Sequence, residues 1–323
     1  QRGGRLLVDR NCHKSVLHGA MMFQLQVDFL LPPLLEEFGI TGGYRASQVE
    51  EALSKGQYDG VLITSPTYYG AISDIQGIAQ ICHAHGAWLL VDGAHGAHLG
   101  FDEDSPLPPW KLGADLVAVS AHKTLPALTQ TAYLFAASHV DGSEVQRCMS
   151  VTNSSSPSYL MMASLEYAAR FMEKEGASRT AALRKNCKTT IQRINATGRC
   201  CALGEDITEK HGFLWDFTRI ILNTRKILLS GYELYDILEV NHMVCEMADR
   251  ENVVVLPSVM TQEKELNRLA EFLEQQQFSL ARQEGEKNPI LHLPSRAMPL
   301  WQAFYSPWEE VPVEQALGRG SAE

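Results

Sequence analysis

Short apolar runs alternate with segments of helical spacing from the start of the chain to about Phe135. The runs lack the strict apolar–polar alternation of strands that face water on one side, which favours strands covered on both faces. The predicted strands are Leu6–Val8, Gly60–Thr64, Trp88–Val91, Leu116–Val119 and Thr131–Phe135, and the predicted helices between them include Ala46–Lys55 and Asp74–His85. We therefore expect an α/β fold with a mainly parallel sheet flanked by helices.

The pattern changes in the second part of the chain. Two long helices are predicted there, at Ser158–Glu175 and Ala177–Ile194. After about residue 212, short strands and helices alternate again, at Arg219–Leu222, Gly231–Glu239, Val253–Leu256 and Gln262–Gln277. We expect a large domain over residues 1–211, a smaller α+β domain over residues 212–293, and an extended strap over the Pro-rich residues 294–323.

Composition and charge limit the classes of protein to which this chain can belong. Its 323 residues are 45% hydrophobic and 20% charged, which is ordinary for a soluble globular protein. The net charge of -10 argues against a general nucleic-acid or anionic-membrane surface. No apolar run approaches the ~20 residues that span a bilayer. We therefore expect neither a nucleic-acid partner nor a membrane.

The seven cysteines are scattered along the chain and show no C-x-x-C spacing. This arrangement predicts neither a disulfide framework nor a cysteine-bound metal, and we expect no metal at the functional site. Reduced thiols are typical of the cytosol. Because the strand at Leu6–Val8 follows the first five residues directly, no signal peptide is expected either. We therefore predict a cytoplasmic protein.

An aspartate and a lysine stand near the ends of two successive predicted strands. Asp92 directly follows the run Ala87–Val91, and Lys123 closely follows the next run. Pyridoxal phosphate (PLP) needs an amine for its aldehyde and an anion beside its ring nitrogen. The alternatives are a surface lysine and an aspartate that caps the next turn. The pairing of two strand ends favours the cofactor over both alternatives.

Residues near these two are candidates for contacts with the cofactor. Ala94 is small enough for a planar ring to approach the backbone, and His95 follows it on the same loop. Ser120 and His122 lie close to the lysine, and their hydroxyl and imidazole groups can hydrogen-bond phosphate oxygens. We expect all four side chains beside the cofactor.

Two further candidates follow the first two predicted strands. His13 lies in the segment Arg10–Ser15, where it either stacks on a flat ring or caps a helix. Thr67 lies in the segment Thr64–Gly70, and its hydroxyl is expected at the carboxyl edge of the sheet, where open α/β sheets bind ligands.

Together, these segments resemble the PLP-dependent ornithine/lysine/arginine decarboxylase family, which has the aspartate-aminotransferase fold, fold type I of the PLP-dependent transferases. The similarity covers nearly the whole chain, and the lysine motif is highly specific. The matching segments are Asp9–Ser15, Ser65–Gly70, Val91–His98, Ser120–Gln130, Ser154–Tyr159 and Val311–Glu323.

The resemblance implies a role for each principal candidate. Lys123 would hold the aldehyde of the cofactor as a Schiff base. Asp92 would pair with the ring nitrogen, and His13 would stack over the ring. Ser120 and His122 would contact the phosphate.

The resemblance also implies substrates and partners. The substrates of the family are basic amino acids, which lose the α-carboxylate to give a polyamine or its precursor. The family is built from dimers whose sites lie at the subunit interface. We therefore expect a homodimer or higher homo-oligomer, in which Ser154–Tyr159 contributes to the site of the neighbouring subunit.

The chain departs from the family pattern at several places. Gly93 stands where the family usually has the glutamate of Asp-Glu-Ala-His, Ala121 replaces the threonine of Ser-Thr-His-Lys, and Pro299–Phe304 differs from the family's Pro-Arg-x-Ala-Phe. The phosphate-binding turn of the family precedes the His13 motif, and residues 1–5 are too few to hold it. We therefore expect a chain that is shortened at both ends.

Three functions are compatible with these residues. PLP-dependent decarboxylation of arginine, lysine or ornithine is favoured, and the sequence does not choose among the three amino acids. The absent phosphate turn and Gly93 suggest a non-catalytic or truncated paralogue that pairs with a full-length subunit. Another PLP activity on the same fold, an aminotransferase or a lyase, is the third function.

Overall fold

The computed structural model describes residues 3–205, 211–280 and 297–319 of the chain. The strands within these residues are β1 (Arg5–Asp9), β2 (Gln26–Leu30), β3 (Leu34–Leu35), β4 (Ile40–Thr41), β5 (Gly60–Thr64), β6 (Ala71–Ile72), β7 (Trp88–Asp92), β8 (Leu116–Ser120), β9 (Ala132–Ala136), β10 (Cys201–Leu203), β11 (Leu214–Trp215), β12 (Ile220–Asn223), β13 (Met247–Ala248) and β14 (Asn252–Val255). The helices are α1 (Lys14–Met22), α2 (Ala46–Leu53), α3 (Ile75–Ala84), α4 (Ala121–Thr124), α5 (Gly142–Thr152), α6 (Tyr159–Ala196), α7 (Gly231–Val240), α8 (Glu263–Gln275), α9 (Leu300–Tyr305) and α10 (Val313–Ala316).

A six-stranded sheet with the order β2-β1-β5-β7-β8-β9 dominates the first part of the chain. Neighbouring strands are parallel except for β8 and β9, which are antiparallel. This topology confirms the predicted α/β fold with a mainly parallel sheet. Because β1, β5, β7 and β8 run in the same direction, the segments that follow them meet at one edge of the sheet. Thr64 pairs with Asp92 at this edge.

The strands predicted for this sheet lie within one residue of their predicted bounds. The apolar pattern misses β2, which is an edge strand. Asp28 in this strand accepts a hydrogen bond from Arg5 Nε at 2.7 Å. A charged residue inside the strand interrupts the apolar run, so the pattern does not indicate a strand there.

One face of the sheet carries the main hydrophobic core of this part of the molecule. Apolar side chains from β5, β7 and β8 pack there against α2 and α3. Burial of each Val, Leu or Ile side chain contributes about 1.5–3 kcal/mol relative to exposure. The core includes Val49, Leu53, Val61, Ile63, Ile75, Ile78, Leu89, Val91, Val117 and Val119, each at most 3% exposed. This packing fixes the relative positions of the strand ends.

α6 is one helix of 38 residues. The pattern predicts two helices here that separate near residue 176, and this prediction is wrong. Gly176 lies inside the helix, and a β-carbon at this position would come within 2.9 Å of the Phe101 ring. The glycine therefore permits a close contact between α6 and the loop after β7, and it does not end the helix.

A second sheet, with four antiparallel strands in the order β10-β12-β14-β13, follows in the chain. Buried side chains of α6, α7 and α8 join its core, among them Ile194, Leu234 and Leu269. β6 and β11 form a short antiparallel pair that connects this part of the molecule to the first part. The arrangement agrees with a smaller α+β unit after a larger α/β unit.

The predicted strap is covered only in part. Residues 294–296 and 320–323 lie outside the described residues, as do residues 281–293 of the predicted small domain. The described part of the strap contains α9 and α10, and Leu300 of α9 packs against the cluster around Val8.

Within the described residues, no helix is both long and apolar enough to cross a membrane.

Candidate active site

Asp92 ends β7 at the carboxyl edge of the large sheet, and its side chain is half-buried. Its Oδ1 accepts a hydrogen bond from the Ala94 backbone N–H at 3.0 Å. The Gly93 N–H donates to the Ala118 carbonyl at 2.8 Å, so the loop stays bound to β8. These bonds hold the carboxylate of Asp92 and the small side chain of Ala94 in place at the strand end.

Gly93 lies against the core of the sheet. A β-carbon at this position would lie 3.1 Å from Val119 Cγ1 and 3.2 Å from Val117 Cγ1. A side chain at residue 93 would therefore meet these valines. Because a side chain here would lie against the valines, replacing the family's glutamate with Gly93 leaves the space beside Asp92 unchanged.

Lys123 lies in the short helix α4, which follows β8 directly. The helix is anchored to the start of β9, because the Ala121 N–H donates to the Thr131 carbonyl at 3.0 Å and His122 Nδ1 donates to the same carbonyl at 2.9 Å. Lys123 is half-buried, and its Nζ lies 3.4 Å from His95 Nε2. Adjacent parallel strands therefore bring Lys123 to the loop that begins at Asp92.

His95 is buried, with 7% of its surface exposed. The edge of its ring meets the Tyr68 ring, with the two centroids 4.9 Å apart. On the side away from Lys123, its Nδ1 lies 3.0 Å from Arg219 Nη2. Burial, and then the positive charges of Arg219 and Lys123, lower the pKa of His95 to about 3. The imidazole is therefore neutral at physiological pH.

Arg219 directly precedes β12 of the second sheet and is only 1% exposed. Its guanidinium donates hydrogen bonds to three acceptors, which are the Tyr68 carbonyl at 3.2 Å, Thr218 Oγ1 at 3.2 Å and His95 Nδ1 at 3.0 Å. These contacts use its Nε, Nη1 and Nη2 atoms. A buried arginine with a partner for each nitrogen is fixed in orientation.

Asp216 balances the charge of Arg219. It is fully buried, and its Oδ2 lies 3.9 Å from Arg219 Nη1. Its Oδ1 accepts hydrogen bonds from His98 Nε2 at 2.9 Å and from Thr218 Oγ1 at 2.7 Å. Burial raises the pKa of Asp216, but His98, Arg219 and Thr218 outweigh this effect and lower it. Asp216 therefore stays a carboxylate.

The segment after β1 approaches the same edge of the sheet. Burial raises the pKa of the Cys12 thiol to about 11, and the carboxylates of Asp9 and Asp92 add to the shift. His13 is exposed and caps α1, because its Nδ1 accepts from the Ser15 N–H at 3.3 Å. Of the two roles predicted for His13, the structure shows the helix cap, and stacking on a ring stays a prediction.

Thr67 lies buried in the turn after β5. Its Oγ1 accepts from the Ala71 N–H at 3.0 Å, and its N–H donates to the Ala71 carbonyl at 2.8 Å. Within the part of the chain that the structure covers, no hydrogen bond joins Thr67 to Asp92, His95 or Lys123. The structure thus brings these three residues together and places Thr67 in a turn of its own.

The groups at this edge fit PLP. Lys123 offers an amine, and Asp92 offers a carboxylate on the neighbouring strand end. One buried hydroxyl next to Lys123, Thr124 Oγ1, has no hydrogen-bond partner among the described residues. Buried polar atoms normally have partners. This hydroxyl is therefore available to a bound polar group.

The sequence pattern misses three charged residues around the site, Asp216, Arg219 and Glu246. Arg219 is 124 positions from His95 in the sequence, so no local spacing relates them. Glu246 is exposed, and its Oε1 accepts from the Tyr68 hydroxyl at 2.7 Å. A usable signal for the first two is the position of two charges inside an apolar stretch, because buried charges are rare unless they are paired.

A family model described as "Orn/Lys/Arg decarboxylase, major domain" matches residues 1–219 of the chain. Among curated proteins, the arginine decarboxylase of Bacillus subtilis (strain 168) is 30% identical over 329 residues. This similarity covers 99% of the chain and 67% of the relative.

Solved structures share the fold. The Francisella novicida lysine decarboxylase LdcF has a TM-score of 0.70 and 21% identity, and the similarity covers 84% of this chain and 44% of that chain. An alanine–glyoxylate aminotransferase from Nostoc sp. has a TM-score of 0.66 and 15% identity, with 85% and 75% covered. The chain thus spans about two thirds of the arginine decarboxylase and less than half of the lysine decarboxylase.

Proposed function

Since the chain belongs to the Orn/Lys/Arg decarboxylase family, whose cofactor is PLP, we propose that it carries the active site of an enzyme that removes the α-carboxylate of a basic amino acid. One observation carries the proposal. Lys123 Nζ lies 3.4 Å from the neutral imidazole of His95, beside the strand end that bears Asp92. An amine and a carboxylate at adjacent strand ends are the two groups that PLP requires.

Lys123 and Asp92 divide the work of binding between them. Lys123 supplies the amine that takes up the aldehyde of the cofactor, and Asp92 holds a proton at the ring nitrogen. When bound, PLP supplies an electron-withdrawing ring that stabilises the negative charge left by the loss of CO2. The neutral His95 adds no further positive charge beside Lys123.

Ser120, His122 and Thr67 are the proposed contacts for the phosphate side of the cofactor. His122 Nδ1 already donates to the Thr131 carbonyl. The other ring nitrogen, Nε2, is therefore the atom of His122 that is left for the phosphate side.

Ala94 and His13 are the proposed contacts for the faces of the ring. Ala94 follows Asp92 closely and its side chain is a single methyl group, so a flat ring can lie near the backbone. His13 is exposed at the start of α1. The charge of Asp92 contributes to the raised pKa of the preceding residue, Cys12. Its imidazole is proposed to stack over the ring.

Glu246 is the proposed partner for the distal positive charge of the substrate. Its exposed carboxylate is held by the Tyr68 hydroxyl at 2.7 Å, and the Tyr68 ring contacts His95. An acidic group that the Tyr68–His95 contact links to the site favours amino acids with a cationic side chain. Arginine, lysine and ornithine share this property.

PLP binding tests the proposal directly. The purified chain with PLP should develop the visible absorbance of a lysine-bound cofactor, and borohydride reduction should attach the cofactor to Lys123, as located by peptide mass spectrometry. Lys123→Ala should abolish both signals, whereas the exposed Lys111→Ala should leave them unchanged. If no visible band forms at saturating PLP, the catalytic proposal fails.

Release of CO2 from arginine, lysine and ornithine then tests the reaction. Glu246→Gln should raise KM for the preferred amino acid more than tenfold and change kcat little, because the carboxylate binds a group that does not react. Turnover that depends on an added keto acid and releases no CO2 would instead identify an aminotransferase.

A second candidate function is pairing with a longer member of the family. The observation that favours it is an exposed apolar surface on α5 and α6, here called the α5–α6 surface. Its side chains are Val151, Tyr159, Leu160, Met162 and Tyr167, which are 50% to 83% exposed. Such surfaces are typical of protein interfaces. The segment 154–159 joins α5 to α6 and ends at Tyr159 of this surface, so we propose that this surface also forms the homodimer.

We propose that the reaction takes place in the cytoplasm and feeds polyamine synthesis. The seven cysteines are all free, which agrees with a reducing compartment. Decarboxylation of a basic amino acid gives a polyamine or its precursor. Deletion of the gene should therefore lower the cellular polyamine content if no second enzyme supplies the amine.

A further inference from the structure

Arg219 restricts which nitrogen of His95 can carry a proton. A guanidinium has donors and no acceptor. Since Arg219 Nη2 lies 3.0 Å from His95 Nδ1, Nδ1 must be the acceptor of this hydrogen bond. A neutral imidazole carries one proton, which must then sit on Nε2. The arginine therefore selects one of the two tautomers.

His95 Nε2 is the atom that faces Lys123 Nζ, at 3.4 Å. We propose that Arg219 is a positioning residue that fixes His95 with its proton on Nε2, so that His95 presents a hydrogen-bond donor to the nitrogen of Lys123. The inference deepens the proposed function and rests on it only for the role of Lys123. Nζ can accept this hydrogen bond only through a lone pair, and the amine with a free lone pair is the form that attacks a carbonyl.

Several hydrogen bonds besides the one to His95 fix the orientation of Arg219. The guanidinium therefore sets the tautomer of His95, and the ring does not reorient the guanidinium. Besides His95, the guanidinium binds the Tyr68 carbonyl and Thr218 Oγ1, both at 3.2 Å. Asp216 balances its charge, and Thr218 donates in turn to Asp216 at 2.7 Å. A rotation that released His95 would break these bonds inside a buried site, where unpaired polar groups are costly.

Most of the charged groups around His95 oppose a second proton on its ring. Arg219 approaches from the position directly before β12 and Lys123 from α4, and both oppose that proton. Asp216 favours it, and His98 opposes it. Tyr68 contributes an uncharged ring. Burial is the largest of these effects and Arg219 the next, so these two are the main causes of the neutral ring.

NMR of the full chain with 15N-labelled histidine tests the tautomer without any substitution and without PLP. The two ring nitrogens of His95 should show the shifts of a neutral ring protonated on Nε2, and the signals should not titrate between pH 5 and pH 8. Assignment uses the loss of these signals in His95→Gln. A wild-type ring protonated on Nδ1, or on both nitrogens at pH 7, would overturn the proposal.

Substitution of Arg219 then tests what sets the tautomer. In Arg219→Met, the Nδ1-protonated form should appear and His95 should begin to titrate within the measured range, since a donor and a cation are both lost. Arg219→Lys keeps a donor and should restore part of the preference. The matched control Arg225→Met removes an arginine that binds Glu251 at 2.7 Å, and should leave the His95 signals unchanged. Unchanged signals in a folded Arg219→Met would refute the role of Arg219.

The outcomes separate this inference from the proposed function. If PLP attaches to Lys123 but the His95 ring of the wild-type chain is protonated on Nδ1, the proposed role of Arg219 is wrong and the proposed cofactor site stands. A ring protonated on Nε2 in a chain that binds no PLP would keep the Arg219 contact and remove the cofactor site.

Discussion

The His95 side chain links the electrostatics of the site to the stability of the fold. Its pKa falls from the ordinary value of 6.5 to about 3, first because the ring is buried and then because Arg219 and Lys123 are cations. Between these two pH values, the unfolded chain binds a proton that the folded chain does not bind. Acid therefore favours the unfolded chain through this residue.

We predict that the free energy of unfolding falls as the pH falls from 6.5 towards 3, with His95 contributing at most ~1.4 kcal/mol per pH unit. The contribution is fully present above pH 6.5. Urea unfolding at several pH values measures the slope, which should be smaller in His95→Asn. The exposed His85→Asn is the control and should keep the wild-type slope. An equal slope in His95→Asn would show that the ring is not kept neutral.

At the scale of single residues, the sequence predicts groups that lie near strand ends. Asp92 and Lys123 each follow an apolar run, and adjacent parallel strands bring such positions together. Arg219 could not be predicted, because its contact with His95 joins segments 124 residues apart and depends on how the two sheets meet. The sequence leaves two roles open for His13, a helix cap and stacking on a flat ring, because a histidine can serve in either role.

The helices and strands that build the site differ in how well the sequence predicts them. The central strands are nearly continuous apolar runs, and their bounds follow from the pattern. The expectation that both faces are covered does not hold for β7 and β8 among the described residues, because Leu89, Val91, Val117 and Val119 are buried while Trp88 and Ala118 are exposed. Two-residue strands such as β6, β11 and β13 are too short to show a period. The helix break predicted near residue 176 is wrong. A glycine indicates the end of a helix only where packing does not require a glycine, and the close contact of α6 with Phe101 requires Gly176.

Gly176 gives a prediction for α6. Gly176→Val should destabilise the fold by about 1–3 kcal/mol, because a β-carbon at 2.9 Å from the Phe101 ring overpacks the contact. Urea or thermal unfolding measures the change. Gly142→Ala, in α5, is the control, since its β-carbon would meet no atom within 4 Å and the fold should be as stable as wild type or slightly more stable. A Gly176→Val chain of wild-type stability would show that this contact is not close-packed.

At the scale of the whole molecule, the site lies where the two sheets meet. The loop after β5 is bound to the second sheet through Tyr68 with Glu246 and through Tyr69 with Asp249, at 2.7 Å and 2.5 Å. Arg219 reaches from that sheet to His95. The groups proposed to bind the cofactor therefore lie in the large unit. The smaller unit holds Arg219, which contacts His95, and Glu246, the proposed partner of the substrate's positive charge.

The α5–α6 surface gives a prediction for assembly. If it forms the proposed dimer, Leu160→Glu should shift the chain from dimer to monomer in sedimentation velocity, because Leu160 is 71% exposed and a charge would be buried on pairing. Val240→Glu is the control, since Val240 is 78% exposed and lies on α7, which contributes no side chain to this surface. Should Leu160→Glu remain a dimer, the interface lies elsewhere on the molecule.

The uninterrupted α6 fixes the relative positions of the segments that contact it near its two ends. Its 38 residues give a length of ~57 Å. Near one end, Ser164 accepts from the Leu128 N–H at 2.7 Å, and near the other, Arg193 pairs with Glu274 at 2.8 Å. One inserted residue between these anchors would turn the far end by about 100° and swing its contacts out of register. α6 thus fixes both the distance and the rotation between these two anchors. An insertion of about one whole turn between Ser164 and Arg193 would keep the rotation but would move the anchors ~5.4 Å further apart.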